Sequence, residues 1–209
     1  MPSTPVYGLP YPAPTAPANV PADIEALAEH TEAVLPTLTG GLTKIAETIL
    51  AAPAATFDFP SIPQTFSSLM LSCALRSDQA ATVAAGVRFN GDTGAGSYAS
   101  QAVTGAGSAA SAAESVAGSS ANVLTAVGGG PANSPSIAFA FIPGYRGAFL
   151  KAIASLVYDR RQATTGQQFV NLYGGMWIAA GGTAAITRIT LTPGAGSFAT
   201  GSRATLYGL

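Results

Sequence analysis

The sequence predicts a mainly β protein: an extended proline-rich N-terminal arm, a short coiled-coil-like helix, and a C-terminal antiparallel β-sandwich or jelly roll. Three observations carry this. Six of the first seventeen residues are proline (Pro2, Pro5, Pro10, Pro12, Pro14, Pro17). Apolar residues then recur at spacings of three and four through residues 24–38. From Pro53 onward they recur at spacings of two, in short runs separated by Gly, Pro, Asn and Asp. The expected divisions are an arm at 1–20, an oligomerising helical segment at 21–52 and a sandwich at 53–209.

Each proline of the arm fixes φ, removes a backbone donor and biases its predecessor toward extended geometry, so the arm does not fold alone. It carries apolar and aromatic knobs at Val6, Tyr7, Leu9 and Tyr11, and its stiffness lowers the entropy lost on docking. Tyr7, Leu9 and Tyr11 are the candidate docking residues of a peg that lies in a groove of another protein. The competing reading is a disordered tail.

The helix is expected to begin near Pro21, with Asp23 and Glu25 placed to complement the positive end of its dipole. Ile24, Leu27, Thr31, Val34 and Leu38 follow the spacing of a coiled-coil seam, and Glu25, Glu29 and Glu32 occupy the other face. Ile24, Leu27, Val34 and Leu38 are therefore the candidate oligomer seam. So short a helix is unstable alone. Copies of itself around a symmetry axis are one partner, and its own C-terminal domain is the other. Pro36 and Gly40-Gly41 interrupt the helix, and Leu42–Leu50 reads as a second short helical segment with Leu42, Ile45 and Ile49 on one side.

The strands follow. Leu69, Leu71, Cys73 and Leu75 alternate with Met70, Ser72, Ala74 and Arg76, the pattern of a half-buried strand. Thr82–Asn90 alternates likewise, and Asn90-Gly91-Asp92 is a turn signal that predicts a hairpin back to Tyr98–Val103. Gly105–Gly130 is almost entirely Ala, Ser and Gly with one charge, Glu114, and reads as a surface loop with a strand near Asn122–Val127. Ile137, Phe139 and Phe141 alternate with alanines up to the Pro143-Gly144 turn, and Phe149–Arg161 is long enough for a central strand. Gly174-Gly175 inside Gln168–Ala179 suggests a bulge or two short strands. Ile186–Thr192 and Ala199–Tyr207 would form a closing hairpin across Pro193–Gly196, for about eight strands in all.

Charged residues make up 9% of the chain and hydrophobic ones 48%, against the usual charged quarter. A surface so poor in charge suggests extensive burial against other subunits, or a chain that never diffuses free at high concentration. No apolar run of about 18 residues free of turn-formers exists to cross a membrane, and no basic region followed by an apolar stretch marks a signal peptide. Residues 1–52 hold five acids against Lys44, a net of −4, and residues 53–209 hold five acids against eight bases, a net of +3. Neither half has the basic stripe that nucleic acid requires. The single cysteine, Cys73, occupies an apolar strand position and reads as a small core residue.

Catalytic chemistry has little to stand on. His30 lies on the acidic helix without a serine or cysteine constellation. No cysteine–histidine cluster has zinc spacing and no acidic loop has calcium spacing, so neither metal nor cofactor is expected. Asp92 could ligate a metal, although its triplet serves turns more often. Gly194–Ala199 mimics a dinucleotide fingerprint but joins two strands rather than opening a helix. Trp177 with Tyr173, Tyr145 and Tyr158 could form a sugar-stacking surface, which makes Tyr173 and Trp177 the candidate host-surface contacts. The other reading places Trp177 in the core.

The N-terminal TPVYGLPYPAPTAPANVPADIEALAEHTE and the C-terminal FIPGYRGAFLKAIASLVYDRR and ITRITLTPGAGSFATGSRATLYGL resemble virion fibre or minor tail proteins of tailed bacteriophages that infect actinobacteria. The resemblance implies a structural, non-enzymatic homotrimer located on the virion, anchored to other virion proteins by its N-terminus, with its β domain outward; host-surface glycan is the partner that the aromatic candidates Tyr173 and Trp177 would contact. It covers tail fibres and head fibres alike, so a capsid fibre or decoration protein remains the alternative. A carbohydrate-binding module is the reading from another class. Neither nucleic-acid binding nor membrane insertion is implied.

Overall fold

A computed structural model of the chain describes residues 22–29, 41–129, 133–161 and 167–209. Residues 22–29 form one helix, α1. Thr43–Leu209 form a separate compact unit, built in chain order from β1 (Thr43–Ile49), β2 (Phe57–Phe59), β3 (Ser68–Leu75), β4 (Val83–Phe89), β5 (Tyr98–Ala106), β6 (Ala109–Gly118), β7 (Ala121–Ala126), β8 (Ser136–Pro143), β9 (Lys151–Arg160), β10 (Gln168–Trp177), β11 (Ile189–Pro193) and β12 (Arg203–Gly208).

The mainly β expectation holds, as two antiparallel sheets. One has eight strands in the order β1-β12-β3-β8-β9-β10-β5-β6, and the other has four in the order β2-β11-β4-β7. Alternate residues of most strands supply the apolar face that is turned to the core. Leu69, Leu71, Cys73 and Leu75 of β3 are buried while their neighbours are half exposed. Phe57 and Phe59 of β2, Val87 and Phe89 of β4, Val123 and Leu124 of β7, and Ile189 and Leu191 of β11 bury the other side of the same core. Burying side chains of this size removes about 1.5–3 kcal/mol each from exposure to water, which makes the layer between the sheets the chief source of stability.

Several local expectations are corrected. Thr43–Ile49, assigned by its spacing to a helical segment, is the edge strand β1, paired with β12 from Thr43↔Gly208 to Ile49↔Arg203. Four β-branched residues in seven favour a strand, and the open edge of β12 provides the backbone partner that a short isolated helix lacks. The Ala/Ser-rich stretch is not a loop: β6 pairs with β5 across the two-residue turn Gly107-Ser108, with Gly107 at φ +60. Tertiary pairing here overrides the helix preference of alanine.

Asn90-Gly91-Asp92 does not return a hairpin either. β4 lies in the four-stranded sheet and β5 in the eight-stranded one, so the turn carries the chain between layers. Asn90, at φ +52, accepts from the Thr187 N–H at 2.8 Å and the Arg188 N–H at 3.2 Å, and its amide donates to the Ala185 carbonyl at 2.8 Å. That ties the end of β4 to the approach to β11. The expected closing hairpin is likewise a crossover, since β11 and β12 belong to different sheets. Twelve strands, rather than about eight, are found among the described residues.

Gly174-Gly175 makes no bulge. β10 runs unbroken from Gln168 to Trp177, in continuous register with β5 on one side and β9 on the other. Gly175 faces inward where the sheets approach: a Cβ there would lie 2.8 Å from Val123 Cγ1 and 3.0 Å from both Ala121 Cβ and Ile153 Cγ2. Gly174 faces outward, and a Cβ there would meet nothing within 4 Å. Gly175→Ala is therefore expected to cost about 1–3 kcal/mol through overpacking, whereas Gly174→Ala should leave the urea midpoint unchanged or raise it. Equal midpoints for the two variants would refute the close approach of the sheets at β10.

Candidate functional site

The alternation that builds the core leaves an unusual outer face on the eight-stranded sheet. In β8 the small residues Ala138 and Ala140 point inward, while Ile137, Phe139 and Phe141 point out. Cross-strand register extends this into rows. One runs Ser72, Phe139, Leu156, Leu172, Val103 across β3, β8, β9, β10 and β5. The next runs Ala74, Ile137, Tyr158, Val170, Gly105 over the same strands. Phe139 is 50% exposed and Leu172 58%. No charged side chain stands in either row between β3 and β5, and such cross-strand apolar pairs reinforce one another.

Beside these rows the face dips. Met70, Phe141, Ala154, Gly174 and Gln101 form the third row, and its small members floor a groove of about 500 Å³ walled by Phe141, Met176, Ile178 and Glu114. Large side chains thus stand as a ridge next to a depression on one surface.

The inner face of β9 and β10 carries polar groups instead. Asp159 and Asn171 are fully buried. The Asp159 carboxylate accepts from Arg161 Nε at 2.7 Å, from Thr125 Oγ1 at 3.0 Å and from Asn171 Nδ2 at 3.2 Å. Asn171 Oδ1 in turn accepts from Thr104 Oγ1 at 2.8 Å. The Arg161 guanidinium lies 4.0 Å over the Phe169 ring, so the buried carboxylate is both paired and fully hydrogen-bonded, as a charge in low dielectric must be. Next to this network a pocket of about 310 Å³ opens between β5, β6, β7 and β10, lined by Thr104, Glu114, Ser115, Asn122, Arg161 and Tyr173 among others. Burial pushes the Tyr173 phenol above its ordinary value.

The aromatic pair expected at the host surface is divided. Tyr173 lines the pocket, but Trp177 is only 3% exposed and belongs to the core. Its ring packs with Phe89 and Tyr98 at centroid distances of 5.9 and 6.4 Å, so it offers no free face to a sugar. Tyr145 is buried as well, and Tyr158 stands on the outer face. The Asp92 carboxylate anchors the tryptophan: it accepts the Trp177 indole N–H at 2.6 Å, the Gly94 N–H at 2.8 Å and the Ser97 hydroxyl at 2.9 Å.

Of the helix seam, Ile24 and Leu27 lie on α1 and are 61% and 41% exposed. Val34 and Leu38 lie outside the described residues, as do the docking candidates Tyr7, Leu9 and Tyr11. Among the described residues no group of three or more His, Cys, Asp or Glu could hold a metal ion, and no helix is long and apolar enough to cross a membrane. Sequence reasoning missed the outer face and the Asp159 network. The alternation of β8 and β9 was the available signal for both, but it does not reveal which set faces the core. No family model matches the chain, and it has no match among curated proteins or solved structures.

Burial opposes ionisation of Asp92, yet the three donors on its carboxylate together hold its pKa below the usual 3.8. A lowered folded-state pKa contributes stability that is complete above the unfolded value and is lost as pH falls through the folded one. Asp92→Ala should cost about 1–3 kcal/mol, because it leaves the buried indole N–H without its acceptor. It should also remove this part of the loss of stability below pH 3.8. Urea unfolding followed by Trp177 fluorescence at pH 7 and pH 3 checks both; an identical acid-side loss in the variant would assign it to other carboxylates.

Proposed function

We propose that this chain is a non-enzymatic structural protein of a bacteriophage virion, a homotrimeric tail fibre or spike. The N-terminal arm anchors it, the helix and β unit join its copies, and the β unit is displayed for adhesion to the host surface. The observation that carries this reading is the apolar outer face of the eight-stranded sheet, which no other described strand covers. Contiguous apolar patches beyond roughly 300–600 Å² on a monomer mark interaction sites, and an assembly component is the class of protein that builds one this broad. The composition supports the same conclusion, since a chain with 9% charged residues is suited to life within a particle. The resemblance of both termini to phage fibre proteins supplies the setting. A head fibre or decoration protein is the alternative within that setting.

A second reading concerns the displayed surface. The pocket of about 310 Å³ beside Tyr173 is at the small end of ligand sites. Hydroxyl, amide and guanidinium groups around one aromatic ring suit a polyhydroxylated ligand such as a sugar residue. On this reading Tyr173 and Arg161 contact host glycan, and Trp177 holds the strand beneath them.

Deleting residues 1–20 is expected to leave a folded oligomer that no longer joins the particle, measured by the amount of variant co-purifying with virions from complemented infections. Incorporation at the wild-type level would sink the anchoring role of Tyr7, Leu9 and Tyr11. On a glycan array, Tyr173→Ala should lose at least tenfold in signal while Tyr158→Phe binds as wild type. An array on which the wild-type protein binds nothing removes the glycan reading and leaves the structural one.

A further inference from the structure

We infer that the outer face of the eight-stranded sheet packs against the same face of a second copy of this chain, with the ridge of one copy entering the groove of the other. This rests on the assembly reading above and adds the surface through which the copies meet, a surface distinct from the α1 seam.

Area is the first argument. Nine large apolar side chains on β5, β8, β9 and β10 are each exposed by roughly 40–60%, which leaves on the order of 700 Å² of apolar surface, about what one partner contributes to a standard interface of ~1,600 Å² in total. Chemistry is the second. The rows from β3 to β5 hold no charged side chain, so a partner needs no complementary charge, and an interface core is the environment in which charge is depleted. A surface of the same composition meets that requirement.

Shape is the third argument, and it selects the copy over an unrelated partner. Phe139, Leu156 and Leu172 project from one row, while the adjacent row falls to Ala154 and Gly174. The space above Gly174 is open to at least 4 Å, and the groove there, about 500 Å³, has room for several methyl-bearing side chains. One face therefore carries both halves of a fit. In a threefold ring the contact is heterologous, each copy offering its ridge to one neighbour and its groove to the other, and the exposed area is then divided between two contacts.

The test uses the full-length chain with Cys73 left in place, since that thiol is buried. Leu172→Cys on the ridge and Ala154→Cys on the groove floor are made separately, mixed, and treated with a short bismaleimide, with Thr93→Cys on an exposed loop as control. The mixed pair should cross-link between chains at least tenfold more than either variant with Thr93→Cys. Leu156→Asp combined with Leu172→Asp should bring the sedimenting mass at 1 μM down to that of one chain, with an unchanged far-ultraviolet spectrum. An oligomer that survives both aspartates and shows no ridge-to-groove link overturns this inference and leaves the assembly reading standing on the helix seam. A wild-type chain that sediments as a monomer overturns both. A link from Leu172→Cys to Tyr11→Cys within one polypeptide overturns it in favour of the chain's own arm as the cover. A two-copy assembly with the ridge-to-groove link supports the face and removes the threefold count.

Discussion

An eight-stranded sheet with apolar side chains on both faces needs two covers, and the four-stranded sheet provides one. β2, β11, β4 and β7 close over the inner face, where Leu69, Leu71, Ile142, Ile153 and Val157 are buried. The outer face keeps Phe139, Leu156, Leu172 and their neighbours half exposed. Free energy of the same kind that folds the unit is left ungained there, because apolar burial is non-directional and scales with the area removed from water. The imbalance between the layers makes assembly the natural completion of the fold.

The interior follows from the same constraint in reverse. With aromatic residues of β8 turned outward, two of its four inward positions are the alanines Ala138 and Ala140, which let the sheets come close. Gly175 carries this further on β10, where even a methyl group would collide with Val123 and Ile153. The inward positions of β9 include Lys151, Ser155 and Asp159, and each is satisfied locally. Lys151, whose pKa burial lowers, donates from Nζ to the carbonyls of Gly147 at 2.5 Å and Phe149 at 2.7 Å. β9 thus mixes polar groups with Ile153 and Val157 on its core side and turns Leu156 and Tyr158 to the outside, where an ordinary surface strand would be polar.

That inversion explains what was legible in the sequence. The period of two in β3, β4, β8 and β9 was readable, because alternation records that the two faces differ. It does not record which face is the core, so Ile137, Phe139 and Phe141 could be seen to share a side without that side being known. β1 was misread because Leu42, Ile45 and Ile49 also fit a helix, and the deciding factor is the distant edge of β12. β6 was missed because Ala, Ser and Gly give no contrast between its faces. The crossovers after Asn90 and Pro193 were read as hairpins because turn chemistry specifies that a chain turns and not which sheet receives it. Of the candidate site, Tyr173 lines the pocket beside the Asp159 network, and of the two readings open for Trp177 the structure has the core one, since a lone tryptophan in a strand does not announce whether Asp92 waits inside the fold to accept its N–H.

Charge is distributed to the same effect. From Thr43 onward the chain has six carboxylates, and five of them serve intrachain contacts. Glu47 pairs with Lys44 and Arg203, Asp58 grips Arg188 through bonds of 2.7 and 2.9 Å, and Asp78 accepts the Ser197 N–H at 2.9 Å. Asp92 and Asp159 hold Trp177 and the β9–β10 network. Only Glu114 stands at the rim of the outer groove. A protein that relied on charge to stay dispersed would place these groups over its apolar face, where they would repel copies and hydrate the surface. Here they fasten turns and crossovers instead. The edges differ in the same sense: β1 carries Lys44 and Glu47, which discourage strand addition, whereas β6 at the far edge has Glu114 as its one charge among mostly small residues. The charge that this sequence has maintains the individual unit, and the face from β3 to β5 is left with the apolar chemistry that an interior has.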